Sequence, residues 1–160
     1  MALSGKRPYE NTKVSIPKSR MDIELVLGKH GVTAIQWTTI DDTAVLRFQF
    51  THEGHSFYVR LVVDPRRQGT KYDSLTHRRS KDDHYAAEAR RLNRVLFFGV
   101  KSKLELVEAG LETPFSVWLP QLETGDGRTV VEQLLEHREQ LSTPKASVAT
   151  LLALPPAGQS

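Results

Sequence analysis

Six cations crowd one stretch of this 160-residue chain: Arg66, Arg67, Lys71, Arg78, Arg79 and Lys81, with Arg90, Arg91 and Arg94 following shortly after. Guanidinium and ammonium groups at this density neutralise phosphates whatever the base sequence, and they do so in a salt-dependent way. A second set alternates with apolar residues in "AVLRFQFT" and "FYVRLVV". There Arg47, Gln49, Tyr58 and Arg60 share the phase opposite Leu46, Phe48, Phe50, Phe57, Val59 and Leu61. A sheet face of planar cations and an aromatic can contact phosphates and stack on bases. The plainer reading is that Arg47 and Arg60 pair with acidic groups and that the loop is merely solvated.

Other chemistries find less material. His52 and His55 flank a turn with only Glu53 beside them, and a stable metal site wants three or four ligands. His77, Asp82, Asp83 and His84 form a second cluster, yet carboxylates at the start of a helix already have a reason in the helix dipole. Metal-dependent phosphodiester cleavage would need carboxylates to converge, and the Asp41-Asp42 turn and Asp82 are the candidates. No phosphate-binding glycine loop, nucleophile elbow or paired-histidine zinc helix is visible. Cysteine is absent, which excludes disulfides and thiolate chemistry. The expectation is a protein without catalytic residues, cofactor or metal. No apolar run is long enough to span a membrane and no signal-peptide core is present, so a cytoplasmic setting is expected.

The net charge of +3 hides an uneven distribution. Residues 60–103 carry twelve Lys or Arg against five Asp or Glu, and residues 104–140 carry two against eight. Such asymmetry attracts polyanions locally, unless the acidic segment folds back on the basic one.

The elements that must position these side chains read clearly. After a polar, flexible arm over 1–14, Ser15 with Pro17 in the first turn opens a helix that Gly31 stops. Three strands follow, turning at Asp41-Asp42 and around Gly54, with a period of two as the strongest signal in the chain. Asp64-Pro65 ends the last strand. Ser80 with Asp83 marks a helix start, and apolar spacing carries that helix to Ala109, before Gly110. Gly99 within it suggests a close packing contact or a bend. "TPFSVWLP" reads as a short capped turn that carries Phe115 and Trp118 inward. Thr129 with Glu132 opens a last helix over 130–141, before a Pro- and Ala-rich tail over 142–160.

The resulting expectation is one α+β domain over 15–141, a three-stranded antiparallel sheet with helices on one face in α-β-β-β-α order, plus a C-terminal helical extension. The same order occurs in double-stranded-RNA-binding domains; the longer second helix and "SKDDHYAAEARR" in place of a lysine cluster set this chain apart. "SIPKSRMDIELVLGKHG", "VKSKLELVEAGLETPFSVWLPQL" and "GDGRTVVEQL" resemble a family of small uncharacterised proteins common in bacterial virus and prophage genomes, over residues 14–135. The shared motifs are caps, turn glycines and helix faces, so the resemblance implies an origin and no activity.

The functional expectation is an accessory protein that binds nucleic acid through Arg47, Tyr58, Arg60, Arg66, Arg67, Lys71, Arg78, Arg79, Lys81, Arg90 and Arg91. The alternative is a protein-interaction module, an inhibitor or subunit of a larger host or viral complex. That reading would use the acidic C-terminal helix and the apolar "VATLLALPP" of the tail.

Overall fold

The alternation of the second and third strands decides where the core lies. The computed structural model describes residues 7–68, 71–75 and 80–138. Strands β1 (Ala34–Ile40), β2 (Thr43–His52) and β3 (His55–Val63) form an antiparallel sheet in the order β1-β2-β3. Phe48 stands opposite Ile35 and Val59, and Leu46 opposite Trp37 and Leu61. Leu46, Phe48 and Val59 are therefore on one face, and all three are buried. Arg47 stands opposite Gln36 and Arg60 on the other face, as the period of two requires. Both hairpins close through two residues. Asp41 at φ 52°, and Glu53 and Gly54 at φ 50° and 78°, supply left-handed backbone, which suits tight hairpin turns.

Helix α1 (Ile16–Lys29) begins where Ser15 accepts from the Lys18 N–H at 3.3 Å. Gly31, at φ 80°, lets the chain leave it for β1. A four-residue helix, α2 (Pro65–Gln68), follows β3, and α3 (Lys81–Glu108) runs for 28 residues from its Ser80 cap. Ile23 and Leu27 of α1, Val100 and Leu104 of α3, and the inner face of the sheet share one buried cluster. Helix α4 (Pro114–Trp118) adds Trp118, whose ring meets Phe48 edge-on at 5.1 Å. Leu61 and Leu96 pack at the margin of this cluster, and they are half-buried, as is Leu92. Among the described residues the close contact suggested by Gly99 is not made, since a β-carbon there would meet nothing within 4 Å.

After a 3-10 turn (Leu119–Gln121), the chain returns along the outer side of β3. Leu122 bridges to Val59, and the Glu123 N–H donates to the Tyr58 carbonyl at 2.8 Å. Thr129 and Glu132 then cap helix α5 (Val130–Glu136) reciprocally. This helix ends at Glu136, with His137 at its C-cap. Residues 139–160, including 139–141 of the expected helix and the tail, lie outside the described residues.

At the other end, Arg7, Pro8 and Tyr9 of the expected arm contact α3. The Tyr9 ring stacks on Phe98 at 4.7 Å, and Arg7 meets Glu88 at 2.7 Å. Residues 1–6 lie outside the described residues. No described helix is long and apolar enough to cross a membrane.

Candidate nucleic-acid interface

Arg47 and Arg60 face each other across β2 and β3, where two guanidiniums repel unless an anion joins them. The returning segment supplies it. Glu123 accepts from Arg47 Nε at 2.9 Å, and its same oxygen lies 3.3 Å from Arg60 Nε. Arg60 also donates to Glu132. The Glu132 carboxyl is held below the usual range, first by the Thr129 N–H at 2.8 Å and then, against some desolvation, by the Arg60 charge. The sheet face is thus not the bare cationic surface expected for Arg47 and Arg60. It is an Arg-Glu-Arg-Glu chain with Tyr58 beside it, 51% exposed.

The connection between β3 and α3 has two parts. Its first turn is built. Pro65 is buried, Asp64 Oδ1 accepts from the N–H groups of Arg66 and Arg67 at 2.9 and 3.1 Å, and Gln68 Nε2 donates to the Val62 carbonyl at 3.1 Å. Arg66 donates twice to Asp42, at 2.9 and 2.5 Å, and lies over the Tyr85 ring at 4.9 Å. It therefore ties α2 to the β1–β2 turn and to α3. The other cations are open: Arg67 within α2, Lys71 after it and Lys81 at the start of α3 are exposed, with no acidic partner for their side chains among the described residues. Tyr72 lies 5.6 Å from His84 and anchors the middle of the connection to α3. Arg78 and Arg79 fall outside the described residues, as does His77.

The two arginines of α3 part company. Arg90 is half-buried, without an ion pair among the described residues. Arg91 is 8% exposed and donates to the buried Glu88 at 3.1 Å, with Pro8 O 3.5 Å from its Nη1. Its place in the expected binding set is corrected on that ground: the N-terminal segment and α3 enclose it. Sequence reading misses Glu123 and Glu132 as partners. The signal at Glu132 is its capping spacing, which speaks of the helix start and not of Arg60.

Asp41, Asp42 and Asp82 do line one cleft, of about 390 Å³, together with Arg20, Arg66, Tyr85 and Asn93. Asp42 is already engaged by Arg66, so the cleft does not present a set of free carboxylates. Among the described residues no group of three or more His, Asp or Glu is arranged to hold a metal ion. Searched against known proteins, the chain matches no protein-family model, no curated protein and no solved structure.

Proposed function

We propose that the chain is a non-catalytic accessory protein that grips the phosphate backbone of nucleic acid with the connection between β3 and α3. The observation that carries this reading is the division among its cations. Arg67, Lys71 and Lys81 are exposed and without an anionic partner among the described residues, whereas Arg47, Arg60, Arg66 and Arg91 each hold a carboxylate. A polyanion gains most from charges that it need not first take from another partner. Arg78 and Arg79 add to the same stretch by sequence. The resemblance to proteins of bacterial viruses supplies a setting for such a role.

The test is anisotropy of labelled duplex and single-stranded oligonucleotides over a salt series. Replacing Arg67, Lys71, Arg78, Arg79 and Lys81 by alanine is expected to weaken binding on every sequence. The slope of log K against log salt should flatten by about 0.9 for each duplex phosphate that the variant no longer neutralises. Arg47→Ala with Arg60→Ala is expected to change the slope little. Equal slopes for the wild type and the five-site variant would sink the proposal. A wild type that binds neither polymer at low salt would transfer the function to a protein partner. One observation favours that second reading: Leu134 and Leu135 on α5 are 46% and 55% exposed.

A further inference from the structure

The two edges of the sheet are treated differently. The outer side of β3 is bridged by Leu122 and accepts the Glu123 N–H. The outer side of β1 has no backbone partner among the described residues: the sheet order ends there, and no backbone hydrogen bond from outside the sheet reaches residues 34–40. Exposed edges are normally blunted by lysine, proline, a bulge or a covering element. "AIQWTTI" has no charge and no proline, and its register with β2 runs unbroken from Ala34 opposite Gln49 to Ile40 opposite Thr43. It is a full-length edge without a bulge, whose side chains meet the Arg20 guanidinium, 4.6 Å from the Trp37 ring and 3.5 Å from the Thr39 hydroxyl, while its backbone groups stay unpaired among the described residues.

The turn determines which groups that edge presents. In a two-residue hairpin the flanking pair, here Ile40 and Thr43, exchanges both hydrogen bonds, and the pattern then alternates. Ala34, Gln36, Thr38 and Ile40 therefore point their backbone groups at β2, and Ile35, Trp37 and Thr39 point theirs outward. This outward set is symmetric about Trp37.

We infer that β1 pairs antiparallel with β1 of a second copy of this chain, with the two-fold axis at Trp37, to give a continuous six-stranded sheet. About Trp37, Ile35 of each copy stands opposite Thr39 of the other, and about six backbone hydrogen bonds form. Several features choose a second copy as the occupant. A two-fold interface sets the same patch against itself, and the strand itself carries no charge to repel its copy, the nearest cation being Arg20 over the Trp37 ring. Ile40, left 68% exposed in the single chain, comes opposite Ala34 of the other copy on the open face. Asp41, which has no ion pair among the described residues, comes opposite Thr33, close in sequence to Lys29, which has none either. The association needs no nucleic acid, so it stands or falls separately from the proposed binding.

Sedimentation velocity without nucleic acid, over about 1 to 500 µM, tests the pairing. The wild type is expected to dimerise with concentration. Ala34→Lys with Ile40→Lys sets like charges opposite each other at both ends of the paired strands, and Ala34→Lys with Ile40→Glu sets opposite charges there. Both sites lie on the open face, opposite the uncharged Gln49 and Thr43 within the sheet, and circular dichroism checks that each variant folds. The first variant is expected to dimerise about tenfold or more weakly than the second, and the second to regain the wild-type association. A wild type that stays monomeric throughout overturns the inference, its edge then belonging to residues 139–160 or to another protein. Equal dimerisation by both variants overturns it too, since the copies would be meeting elsewhere.

Discussion

Truncating Glu88 separates arginines that hold the fold from arginines available to a ligand. Its carboxylate, with only 4% side-chain exposure, sits between Arg7 Nη1 at 2.7 Å and Arg91 Nε at 3.1 Å. The Arg91 side chain is 10% exposed and that of Arg7 is 35%. Glu88→Ala therefore leaves Arg91 enclosed without an anion, and losing one partner of a buried pair costs about 3–5 kcal/mol. Arg7→Ala leaves the Glu88–Arg91 pair intact but takes the enclosed Arg7 Nη1 from Glu88, and should cost about 1–3 kcal/mol, less than Glu88→Ala. Glu88→Ala with Arg91→Ala should cost less than the two single changes added together, because the stranded charge goes with its partner. Urea unfolding reads all of these as shifts in midpoint at an unchanged slope. A Glu88→Ala midpoint within about 1 kcal/mol of wild type would refute the enclosed-pair reasoning. So would an Arg91→Ala protein of normal stability that binds nucleic acid less tightly.

Gly99→Ala should stabilise the protein by about 0.5–1 kcal/mol by thermal or urea unfolding, since α3 gains helix propensity and the new methyl meets nothing. Phe48→Ala should cost about 3–5 kcal/mol by the same measurement, as it empties the centre of the core and removes the edge-on contact with Trp118. Acid should destabilise the fold through Asp22, Asp126 and Glu132. Their carboxyls are held low chiefly by hydrogen bonds from Lys18, from Thr124 and from the Thr129 N–H respectively. The unfolded chain then takes up protons at higher pH than the native one. Their contribution is present above the ordinary carboxylate range, around pH 4, and is lost as the pH falls through it towards the folded values. Urea midpoints across that window check the direction, and Glu132→Gln should shallow the fall.

The parts of the fold written in local pattern were legible. Ser15, Ser80 and Thr129 cap the helices that their spacing marks, Gly31 and Gly110 take the left-handed backbone that ends α1 and α3, and Phe48 points inward with Arg47 outward. Contacts made across the chain were not legible. Arg47 finds Glu123 across 76 residues and Arg60 finds Glu132 across 72, because the chain after α4 returns along β3. No window of sequence contains both partners. Helix α2 escaped for the opposite reason: four residues are too few for periodicity, and Asp64 builds the turn by accepting two N–H groups.

Charge counting has the same limit, and its consequence is physical. Of the twelve cations in residues 60–103, Arg60, Arg66, Arg91, Arg94 and Lys101 stand in ion pairs with Glu132, Asp42, Glu88, Asp22 and Glu105. A paired guanidinium projects little field beyond its partner, and moving it to a phosphate strands the carboxylate it leaves. Long-range attraction therefore falls to cations whose side chains hold no carboxylate. Arg67, Lys71, Lys81, Arg90 and Lys103 are such cations among the described residues, and three of these five belong to the connection between β3 and α3 or its junction with α3. The acidic segment that follows α3 thus answers the arginines of the sheet and leaves the described cations Arg67, Lys71 and Lys81 unpaired.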